Sequence, residues 1–205
     1  MEVYITVAIV AYVIGSINFA VIFSRKFAGF DVREKGSKNA GTTNVLRTVG
    51  KKVAVFTLIC DILKGVVAIL AVMIAEFMWN EFDVMALKYI AGFMVILGHT
   101  FPLFFEFRGG KGVATAIGVL LMLNWKIGLI CLVFGVLIIA LSKMVSLGSI
   151  LAAVLFPVLI IFIQEDVNFI GILFGFLIAG LVVFNHRSNI KRIKEGKENK
   201  LSFKK

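Results

Sequence analysis

The sequence is short of charge. Asp, Glu, Lys and Arg make up 17% of its 205 residues, against roughly 25% in ordinary soluble domains. Acid is scarcer still, with 12 Asp and Glu against 22 Lys and Arg and a formal net charge of +10. Cysteine is nearly absent. Cys60 and Cys131 both lie inside apolar runs, so they read as packing residues and support neither a disulfide framework nor a metal site. Of the two prolines, Pro102 ends an apolar segment and Pro157 lies inside one, where it should kink a helix. There is no internal repeat and no low-complexity segment. A basic leader is missing too: Met1-Glu2 opens straight into an apolar stretch with no cleavage-like site before Gly15-Ser16-Ile17-Asn18, so this run reads as a retained first span.

What is present in excess is apolar surface, 60% of residues with a mean hydropathy of +1.00. A soluble core of this size cannot use that much. Apolar segments fall near residues 3–24, 53–75, 84–105, 113–123, 127–142, 147–163 and 168–185, and helix is the spanning structure that satisfies each backbone internally. The expectation is an all-α integral membrane protein of about seven transmembrane helices. A single domain over 1–198 is followed by a polar basic tail over 199–205, and the chain beyond Gly196 is expected to fray.

The loops sort by charge. One set carries Arg25, Lys26, Arg33, Lys35, Lys38, Arg47, Lys51 and Lys52, then Arg108 and Lys111, then Lys143, then the tail from Arg187; the other carries Glu76, Glu81, Asp83, Lys126, Glu165 and Asp166. The positive-inside bias makes the first set cytoplasmic, with the N-terminus outside and the C-terminus inside. A helix over 113–123 covers only ~16 Å of a hydrocarbon core about 30 Å thick. Parity still favours two crossings within 113–142, turning at Asn124-Trp125-Lys126, because a single one would put the basic tail on the wrong side. With its basic residues dispersed over loops and tail, the chain presents no folded basic face, and no nucleic-acid partner is expected.

Three stretches on the basic side could handle phosphate. In Gly36-Ser37-Lys38-Asn39-Ala40-Gly41-Thr42-Thr43-Asn44-Val45-Leu46-Arg47, small hydroxyl, amide and glycine residues beside a planar guanidinium can form an anion nest. A polar loop with helix caps is the plainer reading. Gly109-Gly110-Lys111-Gly112, followed at once by Val113-Ala114-Thr115, can be a phosphate-binding turn at a helix N-terminus, or a common glycine turn between membrane helices. It lacks Walker A spacing, so nucleotide hydrolysis is not implied. In Asn185-His186-Arg187-Ser188-Asn189, His186 and Asn189 are spaced to share a helical face, whereas Lys191 to Lys205 suit anionic headgroups.

Elsewhere, Asp61 and Lys64 are an i, i+3 ionisable pair within the second apolar run, either functional or merely an orienting ion pair. Ser16 and Asn18 can hydrogen-bond between helices, and His99 reads as a helix-end hydrogen-bonding residue. Neither histidine begins a His-x-x-x-x-Asp pattern, since Phe104 and Lys191 stand at the Asp places, and no serine sits in a G-x-S-x-G elbow. A covalent nucleophile is not indicated.

Taken together, G-S-K-N-A-G-T-T-N-V-L-R, G-H-T-F-P-L-F-F-E-F-R-G-G-K-G-V-A-T and H-R-S-N-I-K-R-I-K-E-G-K-E resemble the three motifs of the bacterial acyl-phosphate:glycerol-3-phosphate acyltransferase (PlsY) family. The likeness runs from residue 15 to residue 198. Lys38, where a small or amide residue is more usual, and Arg108, where Lys is common, depart from it. The resemblance implies seven helices in a bacterial inner membrane, with the active site facing the cytoplasm. It implies transfer of a fatty acyl group from acyl phosphate to the 1-hydroxyl of sn-glycerol 3-phosphate, without a covalent acyl-enzyme, a cofactor or a metal. By motif, Ser37, Arg47, Lys111, His186 and Asn189 would hold the glycerol phosphate. Asn39, Gly41, Thr43, Asn44, Gly109, Gly110, Gly112 and Thr115 would line the rest of the site, with the backbone at 43–44 and 109–112 around the acyl phosphate head. The base would be the acceptor's own phosphate or His186. Membrane lipids and an acyl-phosphate-producing enzyme are the partners implied. A phosphate or organic-anion transporter would also suit basic glycine loops, but transporters of that sort show repeated halves. A silent lipid-binding scaffold leaves His186 and Asn189 unexplained.

Overall fold

The computed structural model describes residues 1–79, 83–164 and 168–201, and divides into two compact units, 1–123 and 124–205. Glu81, Glu165 and Asp166, which the charge argument assigned to the acidic loops, lie outside the described residues, as do the last four residues of the tail.

In the first unit the initial apolar run is not one helix. It forms α1 (Glu2–Gly15) and α2 (Phe19–Ala28). Asn18 caps α2, its Oδ1 accepting from Val21 N at 3.1 Å, which is the usual work of asparagine at a helix start. A turn of 3-10 helix at Val32–Glu34 and the short α3 (Thr42–Thr48) lead into α4 (Lys51–Trp79). Then come α5 (Val84–Thr100), a second 3-10 turn at Leu103–Phe105 and α6 (Val113–Leu123).

Glycine sets the helix contacts. A Cβ on Gly15 would strike the Val95 carbonyl and one on Gly98 the Tyr12 carbonyl, so α1 and α5 meet backbone to backbone. Gly65 and Gly118 do the same for α4 and α6, against the carbonyls of Thr115 and Ile62. Lipid supplies no hydrophobic drive between spans, so close approach at small residues is what gains dispersion contact. Beneath the first basic loop lies a small apolar core of Ala20, Val21, Val32, Ala40, Val45 and Ala54.

The second unit holds α7 (Trp125–Ser142), α8 (Val145–Ile163), α9 (Phe169–Asn185) and α10 (Arg187–Lys194). Residues 113–142 thus form two helices, α6 and α7. Asn124 alone lies between them and caps α7, accepting from Ile127 N at 3.2 Å. Gly135 and Gly148 face each other between α7 and α8, while Gly175 of α9 lies against Pro157 of α8. A 60° bend separates α9 from α10.

Among the described residues five helical segments are long and apolar enough to cross a membrane, or six if the bent pair Phe169–Asn185 and Arg187–Lys194 counts as one; Val113–Leu123 is shorter. The chain is an all-helical membrane protein. The fraying expected beyond Gly196 does not hold for the described residues up to Leu201. Gly196, at φ +69°, turns the chain back, Lys197 N bonds Arg192 O at 2.8 Å, and Leu201 N bonds Lys143 O at 2.7 Å. The Lys197, Asn199 and Lys200 side chains remain exposed.

Candidate active site

The first motif is organised by Asn44, which is 2% exposed. Its Oδ1 accepts from Ser37 N at 2.9 Å, and its Nδ2 donates to Val32 O at 2.8 Å and Lys35 O at 3.0 Å. The side chain therefore holds the loop, leaving its backbone as the part that can meet a ligand. Gly36, at φ +59°, lies so close to Asn44 Oδ1 that no Cβ fits there. Ser37 and Arg47 are exposed on this scaffold, and Asn39, Gly41 and Thr43 are half-buried. Gly41 caps α3 through its carbonyl, accepting from Asn44 N and Val45 N. Thr42 Oγ1 is buried with no hydrogen-bond partner among the described residues.

The second motif turns back on the end of α5. Gly109 N bonds Thr100 O and Gly110 N bonds His99 O, both at 3.1 Å. Those amides are thus committed within the chain, so amide contacts from this turn to an anion fall to residues from 111 onward. Gly109 and Gly110 serve by having no side chain: a Cβ would collide with the His99 carbonyl at one and the His99 ring at the other. Gly112, at φ +83°, completes the turn and its carbonyl accepts the first α6 bond, from Ala116 N at 2.8 Å. Lys111 is half-buried there. Thr115 is 0% exposed, and its Oγ1 has no hydrogen-bond partner among the described residues.

A buried ion pair joins the first two motifs. Asp31 accepts from Arg33 N, Nε and Nη2 and from Arg25 Nη2, at 2.8 to 3.2 Å, and Arg33 Nη1 donates to Phe105 O at 2.7 Å. Burial pushes the Asp31 carboxyl up, but the hydrogen bonds from Arg33 and Arg25 outweigh it and hold the group at about 2. The sequence reading overlooked this pair, because a basic-acidic-basic spacing in a polar loop is common and its third partner is a distant backbone carbonyl.

In the second unit His186 stands at the bend between α9 and α10, 3% exposed. Its Nδ1 lies 2.8 Å from Val182 O. A carbonyl only accepts, so Nδ1 carries a proton. Asn189, in the first turn of α10, donates from Nδ2 to Glu198 Oε1 at 2.7 Å. The same carboxylate accepts from Ser146 Oγ at 3.0 Å and Arg192 Nε at 2.9 Å. Burial raises the Glu198 carboxyl, and these three donors together lower it further than burial lifts it. Glu198 was read as part of a motif but not as the residue that fixes Asn189; its signal is a glycine two positions earlier that reverses the chain.

Among the described residues no group of three or more His, Cys, Asp and Glu side chains is placed to hold a metal ion. What the arrangement offers is a set of cationic and hydroxyl side chains on rigid polar loops, suited to phosphate-bearing substrates.

Solved structures share this architecture. Over 97% of this chain and 96% of theirs, it superposes with a TM-score of 0.87 at 32% identity on the crystal structure of PlsY (YgiH), an integral membrane glycerol 3-phosphate acyltransferase, in its glycerol 3-phosphate form. The lysophosphatidic acid form gives 0.83 at 30% identity. The class is therefore that of the PlsY-type integral membrane proteins. Residues 5–196 match the family model described as Glycerol-3-phosphate acyltransferase. Proteins of that name from Clostridioides difficile and Thermoanaerobacter sp. are 42% and 45% identical, over 98% and 96% of this chain and 97% and 95% of their own. The chain belongs to the glycerol-3-phosphate acyltransferase family.

Proposed function

We propose that this protein transfers a fatty acyl group from acyl phosphate to the 1-hydroxyl of sn-glycerol 3-phosphate, releasing lysophosphatidic acid and inorganic phosphate. The carrying observation is that all three phosphate-suited motifs stand in order within one family-matched chain, with no residue set out as a covalent nucleophile. An acyl phosphate is a mixed anhydride and needs no further activation. The acceptor hydroxyl oxygen attacks the acyl carbon, the acyl carbon to phosphate oxygen bond breaks, and phosphate leaves with the electron pair. The hydroxyl proton passes to the acceptor's own phosphate, whose second pKa near ~6 lets it take a proton at neutral pH; His186 Nε2 is the other candidate.

Ser37, Arg47, Lys111, His186 and Asn189 hold the acceptor and neutralise charge that builds on the leaving phosphate. Asn39, Gly41, Thr43, Asn44, Gly109, Gly110, Gly112 and Thr115 shape the loops around the donor's phosphate, the glycines through close chain packing. The acyl chain stays in the apolar phase, each buried methylene contributing roughly 0.8 kcal/mol. Seven crossings of a bacterial inner membrane, N-terminus outside and basic loops cytoplasmic, put the motifs where a water-soluble acceptor arrives. An enzyme that makes acyl phosphate is the partner this requires.

The test is purified protein in detergent with palmitoyl phosphate and glycerol 3-phosphate, following lysophosphatidic acid and phosphate. Product should form in equal amounts of each. Lys111→Ala and His186→Ala should abolish turnover and leave the thermal midpoint in place. No product from acyl phosphate, or full turnover in both variants, would sink the reading.

A further inference from the structure

Three buried ionisable residues have no part in that scheme. Asp61, Lys64 and His99 are 1%, 4% and 3% exposed, and all lie in the spans of the first unit. Lys64 Nζ donates to Gly15 O at 3.1 Å and Ile17 O at 2.9 Å, the carbonyls at the break between α1 and α2. No water reaches such groups in a hydrocarbon core, so a broken helix there needs an internal donor. Asp61 Oδ1, 3.0 Å from Lys64 Nζ, neutralises the ammonium. Were the cluster only a helix-orienting pair, it would be complete at this point.

It continues to His99. Asp61 Oδ1 is 3.4 Å from His99 Nδ1, on one edge of the ring, while the Nε2 edge fills the space that a Cβ on Gly110 would need. The His99 carbonyl accepts from Gly110 N at 3.1 Å. Ring and backbone of one residue thus fix both the position and the hydrogen bond of the glycine turn. A second strand of contacts runs parallel. Ser16 Oγ, at the helix break, accepts from Leu103 N at 3.1 Å, and Tyr12 Oη donates to Phe101 O at 2.6 Å. The break in the first span and the second motif are therefore held to each other twice.

We propose that Asp61, Lys64 and His99 are positioning residues, a buried relay that locks the Gly109-Gly110 turn so that Gly112 and the start of α6 are presented in one geometry to the acyl phosphate. The inference rests on the acyl-phosphate reading above. Asp61 keeps the His99 ring from rotating, and a rotated ring releases Gly110. Lys64, 3.0 Å from Asp61 Oδ1, keeps that carboxylate in place.

The experiment compares wild type with His99→Gln, Asp61→Asn and the double variant Asp61→Asn/Lys64→Met in detergent, by two measurements. Hydrogen exchange should quicken by about tenfold or more in peptides covering 101–112 of the two single variants, with the rest of α5 unchanged. The KM for palmitoyl phosphate should rise by about tenfold or more, while kcat and the KM for glycerol 3-phosphate stay within about twofold. The double variant leaves no lone buried ion but strips the donor from Gly15 O and Ile17 O, so it should regain only part of the thermal midpoint that Asp61→Asn loses and none of the donor KM. Wild-type exchange and donor KM in a folded His99→Gln, or a restored donor KM in the double variant, would overturn the relay. A wild type that makes no product from palmitoyl phosphate would instead refute the acyl-phosphate reading, and the exchange result alone would then judge the lock.

Discussion

Charge is buried in two places in the first unit, and the two are built differently. In the basic loop, both oxygens of Asp31 accept directed hydrogen bonds, and the Arg33 guanidinium is shared between that carboxylate and Phe105 O. In the spans, Asp61 Oδ1 and His99 Nδ1 lie within ion-pair distance but off line for hydrogen bonds, and both are unsatisfied by that measure. A fully bonded cluster rigidifies what it touches. The span cluster lacks that full set of directed bonds and holds the glycine turn by ion pairing and by the packing of the His99 ring against Gly110. The loop pair is accordingly a strut of hydrogen bonds, whereas the span cluster is a lock of charge and close packing.

The largest effect that separates them is on stability. Asp31→Ala strands a guanidinium that is only 7% exposed, and breaking a buried pair in this way costs about 3–5 kcal/mol. Denaturation in detergent should show that loss, with residual activity tracking the folded fraction. A folded but inactive Asp31→Ala would break the comparison, since the strut would then be acting on the chemistry.

Acid titration tests the same pair more gently. The folded Asp31 carboxyl sits at about 2, below the usual ~3.9 of an unfolded aspartate. A depressed pKa contributes stability above the unfolded value, and that stability is lost as pH falls through the folded one. Up to about 2 kcal/mol should therefore drain away between about pH 4 and pH 2. Asp31→Asn should flatten that part of the stability curve relative to wild type; an unchanged acid limb would mean the carboxylate is not held as described.

How much of this was legible beforehand depended on the range of each interaction. Apolar runs showed the helices because burial in lipid acts residue by residue, and the three motifs stood out because phosphate chemistry needs particular residue types close together. The break at Ser16-Ile17-Asn18 did not read as one, since it is stabilised by Lys64, some forty-seven residues away, rather than by a proline or a run of polar residues. Asn44 read as part of an anion nest through its backbone, and its side chain proves to be the pin of its own loop. Glu198 looked like the start of a loose tail because its partners Ser146 and Asn189 lie fifty-two and nine residues away.

Glu198 extends the comparison to the second unit. Like Asp31 it is a buried carboxylate with every contact directed, its side chain 3% exposed, so it should behave as a strut. Glu198→Gln keeps the shape but replaces one acceptor oxygen with a donor, which weakens the bonds to Ser146, Asn189 and Arg192 at a cost of about 1–3 kcal/mol. The thermal midpoint should fall. The hydrogen-exchange protection of α10 should fall with it, because Asn189 loses its anchor. Full protection of α10 in this variant would show that the helix is set by its own packing.

The smallest effect should come from Lys200, two residues beyond that strut and exposed. An unburied ammonium pays no desolvation and makes little Coulomb contribution in water, so Lys200→Ala should change stability by less than about 0.5 kcal/mol and leave turnover as it was. Salt makes the test sharper. If activity in the variant falls at low ionic strength and recovers at high, the tail's charge is drawing anionic substrate or headgroups toward the basic face. The relevant contrast in this protein would then be between charge that is spent on holding the chain and charge that is kept in solvent to attract.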